Sequence, residues 1–330
     1  MLGPVSNLLL AEGRPDIGRT LVVDDPELAT HLSAGLGASV RAYCDDLRDE
    51  SRTPKAVRVA ALTPATLAGV QTVLARAPKS LGALDELAQA VAASAAPSVQ
   101  MLVGGRVKHL NRSMNEVLAR HFVEVRASLG RSHSRVLHAR IPLPDSGVSW
   151  PRRNHIARLG LDVVAHGAAF AGARLDAGTS LLIGSLPPIP AGHSVDLGCG
   201  TGLIASWLAR RGDEVTAIDV SAAACASTAA TAEANHLAVK VLRADGLTSL
   251  PDRSVDAVVC NPPFHRGTAK DSGVAMDMIA DAARVLAPGG ELWLVFNSHL
   301  PYLPLLRSAV GPTRIEARDR SYLVTRATAR

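Results

Sequence analysis

Cysteine is sparse in this chain of 330 residues: Cys44, Cys199, Cys225 and Cys260 stand far apart, with no C-x-x-C pair. Neither a disulfide framework nor a structural zinc site is indicated, and a reducing compartment, the cytoplasm, is expected. Each thiol reads as a small buried hydrophobe. Aromatic residues make up only 3%, which argues against stacking side chains spread over a sheet face as the main contact with single strands. No run approaches the roughly 18 uninterrupted apolar residues of a membrane span. Residues 1–16 show no basic stretch followed by an apolar run and a cleavage site, so no export signal is expected. No cluster of ligating side chains points to a metal. What is present, 47% hydrophobic and 20% charged residues, is a globular composition. The length exceeds what one core usually organises, so two domains of roughly 150 residues each are expected.

The formal charge of +5 is unevenly placed. Residues 1–165 carry all of it, and residues 106–158 alone reach +8, with five histidines interspersed. An excess of that size resembles the footprint of a phosphate backbone; a solvated basic face is the plainer alternative.

The second half alternates strand and helix. His193–Leu197, Glu214–Asp219, Val239–Arg243, Val255–Cys260 and Glu291–Phe296 read as strands, and 313–318 and 321–327 as two late ones. Helices are expected over Leu203–Arg211, from a Ser221 N-cap to about Asn235, and over 272–287, stopped by Pro288-Gly289-Gly290. Such alternation implies a mostly parallel, doubly wound sheet of seven strands. The first half repeats the plan: strands at 21–25, 39–43, 56–61, 71–76 and 98–103, helices at 27–36 and 81–95, then a helix and two final strands. Pro26-Glu27 stands where a glycine loop belongs, and Arg76 where the second half has Asn261. This reads as an α/β internal duplication with a degenerate first copy; two unrelated sheets are the alternative. Residues 141–180, with Pro142, Pro144 and Pro151, form the linker and lead-in between 1–140 and 181–330.

Two motifs carry chemistry. In Val195-Asp196-Leu197-Gly198-Cys199-Gly200-Thr201-Gly202 the glycines let the backbone turn tightly and approach a ligand with no Cβ in the way. A dinucleotide fold presents G-x-G-x-x-G to a pyrophosphate at a helix N-terminus. Here an acid precedes the first glycine by two residues, which is unfavourable beside phosphate and suits a cation. Asp219 ends the next strand, placed to accept from two ribose hydroxyls, and Asp245 follows the third, placed to accept from an adenine amino group. S-adenosylmethionine, a nucleoside with a cationic amino-acid tail, satisfies all three.

The second motif is Asn261-Pro262-Pro263-Phe264, at the carboxyl end of the fourth strand and facing the same crevice. Consecutive prolines must end a central strand in a stiff turn. That turn aims the Asn261 side-chain oxygen and the Pro262 carbonyl at a planar amine, with Phe264 stacked on its ring. Accepting from both N–H groups directs the nitrogen lone pair toward an electrophilic methyl, so preorganisation and electrostatics do most of the work. A strand-ending turn without chemistry is the alternative.

The order of these motifs resembles class I methyltransferases acting on planar amino groups. The longer run Asn261-Pro262-Pro263-Phe264-His265, the stretch Leu175-Asp176-Ala177-Gly178-Thr179 and the segment Asn297-Ser298-His299-Leu300-Pro301-Tyr302 resemble the RsmC/RlmG ribosomal RNA guanine-N2 methyltransferases. Ser149-Trp150-Pro151 and residues 166–170 look closer to the large-subunit branch, RlmG. The resemblance covers nearly the whole chain and is most specific over 166–330. It implies two tandem Rossmann-like class I methyltransferase domains, with residues 181–330 binding S-adenosylmethionine and residues 1–140 positioning RNA without catalysis. It implies cofactor contacts from Asp196, Gly198, Gly200, Asp219 and Asp245, and a guanine amino group held by Asn261 and Pro262 with Phe264 against the base. Phe170 matches an aromatic that closes over the pocket, or is a core residue; Gly178 and Thr179 line the methionine end. The family commonly has Phe-Ser where this chain has Phe170-Ala171, losing a hydroxyl.

The expected partner is ribosomal RNA, naked or in a subunit. Arg106, Lys108, Arg112, Arg152, Arg153 and Arg266 are the candidate RNA contacts, and a duplicated pseudodimer makes a monomer plausible. Other planar amines also suit the turn, namely a DNA or RNA adenine or a protein glutamine. A non-catalytic RNA-binding assembly factor is the reading outside enzymes.

Overall fold

Short apolar runs closed by glycine, proline or an acid build two sheets whose central strands are covered by helices on both faces, which is why those runs do not alternate with polar residues. The computed structural model describes residues 2–14, 18–143, 149–188, 192–262 and 269–330, and leaves the side chains of 269–272 and 274 undescribed. The chain divides into two units, residues 1–151 and 152–330.

The first unit opens with α1 (Pro4–Gly13), β1 (Arg19–Val23), α2 (Pro26–Leu36), β2 (Val40–Tyr43), α3 (Leu47–Arg52) and α4 (Pro64–Leu67). It continues through β3 (Val70–Arg76), α5 (Leu81–Ser94), β4 (Gln100–Arg106), α6 (Arg112–Leu118), β5 (Phe122–Ala127) and β6 (Ser134–Pro142). The strands lie in the order β2-β1-β3-β4-β6-β5, the first four parallel and the last two antiparallel. Leu84, Val91, Met114 and Phe122 pack against Val73 and Met101 on one face. Leu8 and Leu9 of α1, with Leu28 of α2, pack against Val22, Leu74 and Leu102 on the other. The strand expected at 56–61 does not form: residues 55–57 make a 3-10 turn, and Arg58 contributes a single parallel bridge to Ala42. Only Val57 of that run is buried, too little apolar surface to hold an edge strand.

The second unit begins with a hairpin, β7 (Arg152–Ile156) and β8 (Leu161–Ala165), then α7 (Ala177–Ser185), β9 (His193–Leu197), α8 (Leu203–Arg211), β10 (Glu214–Asp219) and α9 (Ala222–Ala234). It ends with β11 (Lys240–Arg243), β12 (Val255–Cys260), α10 (Ala269–Val285), β13 (Leu286–Asn297), α11 (Tyr302–Ala309), β14 (Thr313–Arg318) and β15 (Tyr322–Thr328). The seven-stranded sheet runs β11-β10-β9-β12-β13-β15-β14, mixed because β15 is antiparallel to both neighbours. Helices α7 and α8 bury Leu182, Ile183, Ile204 and Leu208 on one face. Helices α10 and α11 bury Ile279, Ala282 and Leu306 on the other.

The stretch 141–180, assigned above to a linker and lead-in, contains the β7–β8 hairpin. It docks on α9, whose run of alanine, serine and threonine leaves room for close approach: Val164 N donates to Thr231 Oγ1 at 3.0 Å and His166 N to Ser227 Oγ at 2.9 Å. The helix expected over 272–287 ends at Val285, and Pro288-Gly289-Gly290 lies inside β13. There the ladder shifts, Val255 facing Leu286 but Ala257 facing Glu291, so the prolyl-glycyl run is a bulge within the strand and not a stop before it. No described helix is long and apolar enough to cross a membrane.

Candidate active site

The glycine loop grows from β9. Val195 and Leu197 enter one core face, so Asp196 points to the other and is fully buried. Its Oδ2 accepts from Ala205 N at 2.9 Å, satisfying one of the N–H groups that the first turn of α8 cannot pair. Its Oδ1 is buried with no partner among the described residues. Burial pushes this carboxyl up to about 7, the Ala205 N–H opposing and the Asp219 charge adding to it. Gly198 and Gly200 then adopt φ values of +76° and +55°, where a side chain is disfavoured. A Cβ on Gly200 would meet nothing within 4 Å, so the loop faces open space.

Asp219 closes β10 beside this loop. Its Oδ2 accepts from Gly200 N at 3.1 Å and its Oδ1 from Ser221 N at 2.9 Å. Those bonds fix the orientation of the carboxylate beside the loop. Asp245 is exposed in the turn after β11.

Strand β12 lies next to β9 with Cys260 opposite Leu197, so Asn261 emerges beside Gly198. The Asn261 Nδ2 donates to Thr179 Oγ1 at 3.0 Å and to Asp176 Oδ1 at 3.3 Å. A carboxylate accepts only, so the nitrogen end of the amide must face Asp176 and the oxygen end must face away. Asp176 is itself held as the N-cap of α7, accepting from Thr179 N at 3.1 Å. A Cβ on Gly178 would lie 3.2 Å from Asp176 Oδ1 and 3.5 Å from Asn261 Nδ2, so α7 presses closely on the amide. Gly178 and Thr179, expected at the methionine end of a cofactor, thus stand behind the amide nitrogen of Asn261. Pro262 is buried. Phe264 and Arg266 lie outside the described residues.

Other expected residues are spread out. Phe170, in the turn after β8, is 65% exposed. Arg106, Lys108 and Arg112 are exposed on the first unit, Arg106 donating to Ser132 O and Arg112 pairing with Glu116. Arg152 and Arg153 are exposed on β7 of the second unit. Sequence reading gave no role to Asp176, although an aspartate three residues before a threonine at a helix start is a legible capping signal. Among the described residues, no group of three or more His, Cys, Asp or Glu side chains is placed to hold a metal ion.

A glycine loop after the first strand of such a sheet, with an acid closing the second, defines a class I S-adenosylmethionine-dependent methyltransferase. Residues 160–326 match the family model of the methyltransferase small domain, and residues 36–142 match that of the RLMG N-terminal domain. The chain belongs to the RsmC/RlmG family of ribosomal RNA guanine-N2 methyltransferases. Ribosomal RNA large subunit methyltransferase G of Streptomyces avermitilis is 31% identical to it, over 97% of this chain and 89% of that protein. The Streptomyces coelicolor protein of the same name is 36% identical, over 78% and 72%. Ribosomal RNA small subunit methyltransferase C of Pseudomonas aeruginosa is 44% identical over 47% of each chain. The longer matches, to the two Streptomyces proteins, and the match to the RLMG N-terminal domain favour the large-subunit branch. Among solved structures, the 16S rRNA N2 methyltransferase RsmC of T. thermophilus, in complex with AdoMet and guanosine, shares the fold with a TM-score of 0.81 at 24% identity, over 99% of this chain and 92% of that one.

The residues present fit S-adenosylmethionine. The open face of Gly200 is a cradle that a side chain would fill, and the buried Asp196 Oδ1, without a partner among the described residues, is an acceptor of the kind an ammonium group satisfies.

Proposed function

We propose that the chain methylates the exocyclic N2 amino group of a guanine in ribosomal RNA, with the base turned out of its stack into the crevice before Asn261 and Pro262. One observation supports this reading: Asp176 and Thr179 hold the nitrogen end of the Asn261 amide, which turns its oxygen end away from them, and we take that oxygen as the acceptor offered to the base. The likeness of the whole chain to large-subunit enzymes supports RNA of that subunit as the substrate.

On this reading Asp219 accepts from the ribose hydroxyls, Asp245 from the adenine amino group, and Asp196 balances the cationic tail across the loop of Gly198 and Gly200. S-adenosylmethionine, when bound, supplies an electrophilic methyl group and departs as neutral S-adenosylhomocysteine. Asn261 Oδ1 and the Pro262 carbonyl accept the two N–H bonds of the guanine amine. That draws the nitrogen toward sp³ geometry and aims its lone pair at the methyl carbon. With both N–H groups donating to oxygen acceptors, no strong base is needed before transfer; once the N–CH3 bond forms and the S–CH3 bond breaks, the cationic nitrogen releases one of those protons to solvent. Phe170 closes over the base, and extrusion follows because this crevice cannot reach an amino group inside a stack. Arg106, Lys108, Arg112, Arg152, Arg153 and Arg266 contact RNA phosphates.

We read the two units as copies of one ancestor, with 1–140 the non-catalytic copy and 181–330 the catalytic one. The matching strand orders support this, β11 being the one strand of the second sheet without a full counterpart in the first. Replacing Asn261 with Ala should leave cofactor affinity within about twofold by calorimetry and lower kcat by roughly 100- to 1,000-fold, the usual cost of one preorganised polar group. Mass-spectrometric mapping of N2-methylguanosine in ribosomal RNA, with and without the protein, is the readout. Unchanged turnover in that variant would remove the mechanism.

A further inference from the structure

The first unit holds a basic cavity, apart from the cofactor crevice, that gathers part of the charge excess at 106–158 around one concave site. It lies where the end of α1 meets β5 and β6, spans about 460 Å³, and is lined by Arg14, Arg126, Arg131, Arg140 and His138, with Glu12 as its one carboxylate. Arg14, Gln100 and Arg140 also line a neighbouring cavity of about 640 Å³. Both volumes suit a small ligand of roughly 300–1,000 Å³ and exceed what a bare phosphate fills.

Its polar groups are arranged but incompletely used. Arg14, Arg126 and Arg131 have no ion-pair partner among the described residues, whereas Arg48 and Arg52 elsewhere on the same unit are paired to Asp46 and Asp49. Arg140 donates from Nη2 to Gln100 Oε1 at 3.1 Å, yet its Nε is buried without a partner. His138 is 4% exposed, with Nε2 lying 3.3 Å from Glu12 Oε2 and Nδ1 buried and unpartnered. Each such buried group loses a hydrogen bond it would have made in water, and four guanidinium groups around one carboxylate repel one another. An anion with several acceptor oxygens relieves both, and guanidinium geometry matches phosphoryl oxygens two at a time.

We propose that this cavity is a nucleotide site, taking a phosphoryl group among Arg126, Arg131 and Arg140 with its nucleoside in the adjoining space, and that the nucleotide belongs to an RNA strand. Its source rests on the substrate proposed above, whereas its chemistry does not. A free nucleoside monophosphate offers the same phosphoryl group, so the test carries both.

The full chain, as Arg126→Ala/Arg131→Ala, is titrated with an end-labelled single-stranded oligouridylate and separately with uridine monophosphate. Both arginines are exposed, so the fold tolerates the change. Loss of the contacts to that one phosphate should lower the slope of log affinity against log salt by about 0.7 and weaken RNA binding roughly 5-fold at 0.1 M salt. Arg48→Ala/Arg52→Ala, which removes equal charge from α3, should leave RNA affinity unchanged. If RNA binding is intact in the first variant but uridine monophosphate binding is lost, the nucleotide site stands and the strand is overturned as its source. Equal losses in both variants, or no loss with either probe, overturn the site. Methylguanosine formation by the wild-type chain is scored apart, so failure of the substrate reading is distinguishable from failure of the cavity.

Discussion

At the end of β1 and at the end of β9 the backbone turns in the same way. Asp24 N donates to Tyr43 O at 2.9 Å with φ 55°, and Gly198 N donates to Ile218 O at 2.8 Å with φ +76°. What fills the turn differs. The Asp24 carboxylate accepts from Asp45 N at 2.8 Å, and burial, against that bond, pushes it up to about 6. The next residue, Asp25, caps α2, accepts from Ser6 of α1 and pairs with Arg76 Nε at 2.7 Å. Val23 faces Ala75 as Leu197 faces Cys260, so Arg76 stands in the register of Asn261. In the first unit Asp24 therefore stands where the second unit has Gly198, and the next residue, Asp25, pairs with Arg76 where the second unit has Cys199 and the oriented amide of Asn261. The same backbone turn carries acids and an arginine in one unit and glycine with an amide in the other, according to Asp24, Asp25 and Arg76.

The strongest way to break this comparison is to copy one unit into the other. Gly198→Asp places the first unit's residue in the second, and a Cβ there meets only Met278 Cε at 3.6 Å. Asp is among the residues that tolerate this conformation, so folding should weaken by only about 1 kcal/mol. Cofactor affinity should fall roughly 100-fold or more, about 2.7 kcal/mol, because the carboxylate enters the crevice. Calorimetric titration with S-adenosylmethionine checks this, and an undiminished affinity would show that the open turn is not what admits the cofactor.

A milder change tests the amide. Asp176→Ala removes one of two anchors on Asn261 and the cap of α7, so kcat should drop about tenfold and stability by about 1 kcal/mol. Asp176→Asn should restore both, since its amide oxygen still accepts from Thr179 N and from Asn261 Nδ2. A kcat that stays level in the Ala variant, with KM moved instead, would assign Asp176 to helix capping alone.

Sequence reading went furthest where local chemistry decides structure. His193–Leu197, Glu214–Asp219 and Val255–Cys260 are apolar runs ended by glycine, an acid or proline, and they form β9, β10 and β12 with those bounds. It went wrong where packing decides: Val57 alone does not hold a strand at 56–61, and the bulge at Pro288 depends on the neighbouring β12. The anchors of Asn261 were illegible for a related reason, because Asp176 and Asn261 are 85 residues apart. Arg76 was visible as a substitute for asparagine, but its partner Asp25 lies 51 residues away, and only folding brings the two together.

The smallest expected effect separates the units by pH. Asp196 and Asp24 both have carboxyls raised by burial, to about 7 and about 6. In each case the folded chain keeps a proton that the unfolded chain releases near pH 4, so stability is full below about pH 4 and falls as pH rises through the folded value. The slope for one such group reaches at most about 1.4 kcal/mol per pH unit. Asp196→Asn should remove the part of the fall that extends to about pH 7, and Asp24→Asn the part that is complete by about pH 6. Melting temperatures measured from about pH 5 to pH 8 would show two different windows. Identical profiles for the two variants would mean that the buried acid under the glycine loop and the acid at the first unit's turn feel the same surroundings, and the contrast between the units would lose its electrostatic half.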